Sequence, residues 1–351
     1  LPKRLITSKM IALFKNTISG RSRFLGYSLL GLMVLLLLFF VSLLVGPTGY
    51  GLSLLREYAF DYSMTNKDHL ILHLLRLPRA VAIILIGANL AVAGCIMQAL
   101  TRNPLASPSL FGLNAGASFA VVLSIVVFPG VGGWLLAGAS FAGGLLAVLL
   151  VLSMSAATRG GQMELRMALV GIVIQAVLSS FTQGLLIFNE ESSSRILFWL
   201  AGSAAGIKWE QVTLLALFSL GGLLGAVLIS RSLSLMNLGD EIARGLGQKV
   251  SLLRIGGCAI VIVLAGISVA VAGPIGFVGL IVPHISRYLL GNNYRVLIPF
   301  SAIAGGVLLT AADIGSRFVS FPAETPVGIV TALIGAPYFV YLARRRSRRS
   351  T

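Results

Sequence analysis

Charge is scarce in this chain. Only 11% of its 351 residues are Asp, Glu, Lys or Arg, against about 25% in a soluble domain. That leaves too few charged side chains to cover the surface of a water-soluble enzyme. Acidic residues are scarcer still, at 11 against 27 Lys plus Arg. Histidine occurs three times and cysteine twice, which leaves no disulfide framework and no metal-ligand spacing. Cys95 and Cys258 both fall inside apolar runs and read as small packing residues. No G-x-x-x-x-G-K-[S/T] phosphate loop occurs, so the chain does not bind ATP through that motif. No nucleophile–base set and no paired intramembrane carboxylates are present either, and covalent chemistry is not expected.

What is abundant is apolar length. Hydrophobic residues make up 57% of the chain, and the mean hydropathy is +0.95. An all-α integral membrane protein follows, since at about 20 residues per crossing the length holds eight to ten spans and no large soluble domain. The run Phe24 to Val45 is longer than the core of a secretory signal, no A-x-A site follows it, and a cleavable signal is not expected. Charge-free runs place spans at about 24–45, 80–100, 109–128, 134–157, 167–188, 211–230, 255–272, 275–290, 296–312 and 326–343. The apolar piece 196–206 is too short to cross and reads as a half-helix on one side. The organisation expected is an N-terminal tail over 1–23, a membrane domain over 24–343 with its longest loop at about 231–250, and a basic tail over 344–351. The 40 glycines suit close helix packing, as in Gly112-Leu-Asn-Ala-Gly116.

Ten spans put both termini on one side. With the N-terminus inside, the inner segments hold 20 of the 27 Lys/Arg and 3 of the 11 acids. This positive-inside asymmetry predicts cytoplasmic N- and C-termini. The basic residues lie in tails and short loops, so the net charge of +16 reports orientation in a bilayer and not nucleic-acid binding. Gly87–Pro104 and Gly266–Pro283 align without gaps, sharing Ala-Val-Ala-Gly, and the two copies run in opposite directions across the membrane, as an inverted repeat requires.

Three stretches stand out. Arg76-Leu-Pro-Arg79 leads into Gly87, Gly94, Gln98 and Arg102-Asn103-Pro104-Leu105-Ala-Ser-Pro108. The prolines break the helix at the inner face, as a simple turn or as backbone lining a cavity. The loop from Leu235 to Gln248 encodes a short helix, with Asn237 or Asp240 as cap and Gly245 and Gly247 as its end. Leu238, Ile242 and Leu246 share one face, which calls for lipid or protein cover. The acids Asp240 and Glu241 favour protein, because a lipid anchor wants several cations and a bulky aromatic. The third stretch runs Gly273-Pro-Ile-Gly-Phe-Val-Gly-Leu-Ile-Val-Pro-His284-Ile-Ser-Arg287, followed by Asp313, Arg317, Glu324-Thr-Pro326 and Gly335-Ala-Pro337. His284 has no ligand partner at metal spacing and reads as structural. Asp313 and Arg317 read as an exposed pair of little energetic weight. Arg76, Arg79 and Arg317 together would offer cationic points to an acidic partner.

In this order the motifs resemble the FecCD-type permeases, the membrane subunits of bacterial ABC importers for iron–siderophores, haem and cobalamin. The resemblance spans about residues 70 to 342. It implies a ten-span type II importer permease with inverted-repeat halves, paired with a second permease, identical or related, and two ATP-binding subunits in the bacterial cytoplasmic (inner) membrane. Leu238, Gly239, Asp240, Glu241, Arg244, Gly245, Leu246 and Gly247 match the loop that docks on the ATPase. Arg76, Arg79 and Arg317 match arginines that receive an extracytoplasmic substrate-binding protein. Asn103, Pro104 and Leu105 match the cytoplasmic gate, and 196–206 a short outer helix. No cofactor is implied. The competing class is an ion-coupled secondary transporter with Asn89, Gln98, Gln175 and Gln183 as a neutral sodium site; the absence of acids inside the spans counts against it.

Overall fold

The computed structural model describes residues 2–46, 51–128, 130, 133–158, 163–189, 196–321 and 323–350. The described residues contain helices and turns and no strand. In chain order the helices are α1 (Pro2–Leu44), α2 (Leu52–Phe60), α3 (Lys67–Leu100), α4 (Leu113–Val127), α5 (Gly133–Ala157), α6 (Met163–Ile187), α7 (Trp209–Met236), α8 (Asp240–Gly245), α9 (Val250–Ala272), α10 (Val278–Leu290), α11 (Tyr294–Val319) and α12 (Val327–Ser350). Seven of them are long and apolar enough to cross a membrane, and three shorter apolar helices, Leu113–Val127, Val278–Leu290 and Val327–Tyr341, fill the remaining predicted spans. Each of the ten predicted spans therefore coincides with a helix. The segment expected as an N-terminal tail is helical from Pro2 and continuous with the first span.

Helix α3 is the centre of the bundle and packs against α7, α9, α10 and α11. Its middle, Gly87 to Leu100, is buried throughout. Small residues make this possible, because backbones approach closely only where side chains are absent. A Cβ on Gly94 would lie 1.9 Å from Gly279 O, and one on Gly87 would lie 2.3 Å from Gly305 O. Gly94→Ala is accordingly expected to cost upwards of about 1–3 kcal/mol through overpacking, read as loss of the monodisperse peak in detergent. Gly138→Ala, where a Cβ meets nothing, is the neutral control.

At its start α3 contains one π-helical turn, Leu72–Arg76. Pro78 follows two residues on and has no N–H to give, and Leu77 N–H bonds Leu72 O instead of the usual acceptor one residue later.

Pair contacts set the helix directions. Arg79 meets Asp313, Gly87 meets Gly305 and Cys95 meets Ser301, so α3 and α11 are antiparallel. Gly31 faces Ile303, Leu35 faces Gly306 and Ser42 meets Arg317, so α1 and α11 run parallel. One end of the bundle thus carries Asp313 with the C-terminus of α1 and the start of α12. The opposite end carries Asp240 and the free ends of the two terminal helices.

The internal echo has a structural counterpart. Helices α3 and α9 cross antiparallel, with Asn89 Nδ2 donating to Ser268 Oγ at 3.3 Å across a separation of 179 residues, the offset of the repeat. Equivalent positions meet in this way on a two-fold axis. The local structures then diverge. Gly273 (φ +72) ends α9, whereas its counterpart Gly94 lies inside α3, because Pro274 follows the one and Cys95 the other. The predicted half-helix is also shorter than expected. Residues 196–200 are helical, and Gly202 (φ +77) and Gly206 (φ +73) turn the rest. That turn closes the Asp313 end: Ser203 N–H caps Ala272 O at 2.8 Å, and Gly328 N–H bonds Gly202 O at 2.9 Å.

Candidate functional site

Helix α8 lies outside the long helices at the Asp240 end. It starts at Gly239, whose φ of +121 is a glycine conformation, and no side chain caps it. The expected caps are therefore corrected. Asn237 ends α7, and Asp240 is the first helical residue, its carboxylate turned to guanidiniums. Gly247 (φ +81) terminates the helix as foreseen, with Gly247 N–H on Arg244 O at 2.9 Å and Gln248 N–H on Ala243 O at 3.0 Å, a Schellman turn. Gly245 is the last helical residue and needs no special conformation.

The two sides of α8 differ sharply. Leu238, Ile242 and Leu246 are 59%, 54% and 62% exposed, the apolar stripe expected from their spacing, with Glu241 exposed as well. Ala243 is fully buried on the other side. Asp240 faces the same way, bridging Arg102 and Arg254, the latter at 2.9 Å. Arg254 belongs to α9, and Arg102 is the second residue beyond α3. One carboxylate thus ties α8 to both central helices.

Arg102 has φ +48, rare for a residue with a Cβ, and it opens the segment expected to form a gate. Asn103 Oδ1 accepts Leu105 N–H at 3.0 Å, and Asn103 O accepts Ala106 N–H at 3.0 Å. Asn103, Pro104 and Leu105 therefore form a tight turn pinned by the asparagine side chain. Asn103 is exposed, and Pro104 and Leu105 are half-buried. Beneath them Gln98 donates to Gly279 O at 3.3 Å and accepts from Arg287, joining α3 to α10. Opposite charges at Arg102 and Asp240 were the only sequence signal for this junction, and a separation of 138 residues hid it.

The arginines at the other end are placed differently from expectation. Arg76, Arg79 and Arg317 are all buried, not exposed cationic points. Arg79 binds Asp313 Oδ1 through Nη2 at 2.9 Å and both oxygens of Glu324 through Nη1 at 2.9 Å. Arg317 takes Asp313 Oδ2 at 2.5 Å and donates to Ser42 O at 2.6 Å and Val45 O at 2.7 Å. Arg76 donates to Leu43 O at 2.7 Å and Leu44 O at 3.0 Å. The pair read as exposed, Asp313 and Arg317, is buried to side-chain exposures of 1% and 7%. Among the described residues two carboxylates, Asp313 and Glu324, lie against these guanidiniums. The carbonyls ending α1, the negative pole of that helix, also accept from Arg76 and Arg317.

The polar residues weighed as a sodium site are not gathered. Asn89 is buried in the core and donates to Ser219 Oγ at 2.7 Å, and Gln98 sits at the Gly279 junction. Gln175 and Gln183 both lie on the exposed face of α6. Among the described residues no cluster of three or more His, Cys, Asp or Glu could hold a metal. His284 packs edge-on against Tyr338, ring centroids 6.1 Å apart.

Among the described residues ten apolar helices, with α3 as their close-packed centre, and a short amphipathic helix at one end tied by a carboxylate to the core define a polytopic membrane protein of the transport-permease class. The particular family is the FecCD transport family: its model matches residues 34–345, and the chain belongs to it. The chain is 45% identical to the Fe(3+)-citrate import system permease protein YfmD of Bacillus subtilis (strain 168), covering 88% of this chain and 95% of that one. It is 44% identical to the iron(3+)-hydroxamate import system permease protein FhuB of the same organism, over 91% of this chain and 83% of that one. Among solved structures it is similar to an inward-facing conformation of a metal-chelate type ABC transporter, with a TM-score of 0.79, 29% identity, and coverage of 92% of this chain and 99% of that chain.

Proposed function

We propose that this chain is the membrane permease of an ATP-binding-cassette importer that carries an iron–siderophore complex into the cytoplasm. The observation that carries the reading is α8. It offers an exposed apolar stripe at the end of the bundle, while Asp240 on its inner side holds the segment after α3. A force applied to α8 from outside would reach Asn103, Pro104 and Leu105 through Arg102. In this scheme two permeases work with two separate ATP-binding subunits, and one of these seats against Leu238, Gly239, Glu241, Ile242, Gly245, Leu246 and Gly247 of this chain. Asp240 and Arg244, on the inner side, transmit the movement.

The exposed face of α6 carries Gln175 and Gln183 among apolar residues. Polar groups of this kind are costly against lipid and fit a path lined jointly with a second permease subunit. A bulky, mostly neutral cargo suits such a lining, and the iron-citrate and iron-hydroxamate systems of the relatives point to a ferric chelate. The excess of Lys and Arg at the Asp240 end supports a reading in which that end faces the cytoplasm of a bacterial cell, with both termini inside. A substrate-binding protein then docks at the Asp313 end. Its acids would reach Arg79 by displacing Glu324, the more exposed of the two internal carboxylates.

The test is to replace Leu238, Ile242 and Leu246 together by Ser in a tagged chain purified from mild detergent. The wild type is expected to bring down an ATP-binding subunit, and the triple variant to lose it while remaining inserted and monodisperse. An equal yield of that subunit from both would remove α8 as the contact.

A further inference from the structure

A cavity of about 660 Å³ opens between α5 and α9 at the Asp240 end. Its walls are alkyl and aromatic: Leu145, Leu149 and Leu152 on α5 face Ile255, Cys258 and Ile262 on α9. Leu149 and Ile255 are among the exposed large side chains, so the cavity opens sideways and not into the core. It extends along α5 from Phe141 to Leu152, about 16 Å at 1.5 Å per residue. That is about half of the 30 Å hydrocarbon thickness of a bilayer, the depth of one leaflet.

Polar character is confined to one end. Arg244 and Arg254 line the mouth beside Ser251, in the first turn of α9. Arg254 keeps its pair with Asp240 while facing the cavity, and Arg244 is exposed on the inner flank of α8. Among the described residues the charged side chains lining this mouth are Arg244 and Arg254, and Asp240 pairs with Arg254 and Arg102, leaving an excess of positive charge. An alkyl-walled slot one leaflet deep, closed at the interface by guanidiniums, matches an acyl chain under an anionic headgroup. Basic pockets between helices on the cytoplasmic side recognise lipids in this way.

We propose that this crevice binds an anionic phospholipid, with an acyl chain between α5 and α9 and the headgroup phosphate against Arg244 and Arg254. The site requires only that the Asp240 end lie at a membrane surface; it does not depend on the cargo, and it shares Arg244 with the segment assigned to ATPase coupling. Because Arg244 sits on α8 and Arg254 pairs with Asp240, a bound lipid would brace the junction between α8 and α9.

The experiment uses the full chain with its co-purifying subunits in nanodiscs of phosphatidylcholine, with and without phosphatidylglycerol. Native mass spectrometry reads the lipid retained after release. Reaction with N-ethylmaleimide reads access to Cys258, with the fully buried Cys95 giving no background. Phosphatidylglycerol is expected to be retained selectively and to slow labelling of Cys258. Arg244→Ala should lose both effects, and so should Ala259→Trp, which fills the cavity from an exposed position. Equal retention and equal labelling in the two lipids would overturn the proposal, as would selectivity that survives both substitutions. Protection by soluble glycerol phosphate in phosphatidylcholine discs would overturn it too, since the site would then recognise phosphate without an acyl chain.

Discussion

Asp313→Ala is expected to lower the stability of the protein by about 3–5 kcal/mol, the loss seen when one partner of a buried ion pair is removed. The carboxylate has a side-chain exposure of 1% and serves two guanidiniums, Arg79 at 2.9 Å and Arg317 at 2.5 Å. Without it two like charges face each other at the end of an apolar bundle, and α1, α3 and α11 lose their common tie. The midpoint of thermal aggregation, read by size-exclusion chromatography in detergent, should fall steeply, and insertion yield should fall with it. Glu324→Gln is the internal comparison. With a side-chain exposure of 36%, that carboxylate is partly solvated, and its loss should cost about 1 kcal/mol or less. An Asp313→Ala variant as stable as the wild type would mean that Arg79 and Arg317 find water or lipid phosphate instead.

Asp240→Ala is expected to separate ATPase binding from transport. The exposed stripe of Leu238, Ile242 and Leu246 is left intact, so the ATP-binding subunit should still co-purify. The ties to Arg102 and Arg254 are gone, and substrate uptake should drop about tenfold, which corresponds to about 1.4 kcal/mol of lost coupling. That magnitude is reasonable for a partly exposed carboxylate holding two guanidiniums, which exceeds a lone surface pair. Glu241 lies on the face assigned to the ATP-binding subunit and, among the described residues, makes no ion pair within the chain, so Glu241→Ala should weaken co-purification of that subunit while leaving the Arg102 and Arg254 ties to Asp240 in place. The charge swap Asp240→Arg with Arg102→Asp should restore part of the uptake. Equal loss of co-purification in the Asp240 and Glu241 variants would show that both act at the ATPase surface and that the Arg102 link carries nothing.

Much of this architecture is legible in the sequence, for a physical reason. Apolar run length reports directly on membrane crossing, so every predicted span from 24–45 to 326–343 has its helix. Periodicity likewise revealed the stripe of Leu238, Ile242 and Leu246, since spacing along one helix is local information. The partner of a charge is not local. Arg79 and Asp313 are 234 residues apart, and Arg102 and Asp240 are 138 apart. Position at a span end suggested exposure for Arg76, Arg79 and Arg317. Their burial depends on where α1 ends, because its terminal carbonyls receive two of them. The capping assignment failed for a related reason. An aspartate before a short helix can serve the helix backbone or an outside cation, and here two arginines outcompete the N–H groups. The same holds for 196–206, where hydrophobicity suggested a helix and two left-handed glycines turn the chain after the first five residues.

In the proposed function the chain moves its cargo by ATP hydrolysis on a partner and not by an ion gradient. The most direct test reconstitutes the chain with its co-purified subunits in proteoliposomes and follows uptake of an iron-labelled ferric hydroxamate delivered by its binding protein. Uptake that requires ATP on the side of the Asp240 end, and persists when ionophores collapse sodium and proton gradients, is the result this account predicts. Uptake by the chain alone, driven by a sodium or proton gradient without ATP, would contradict it.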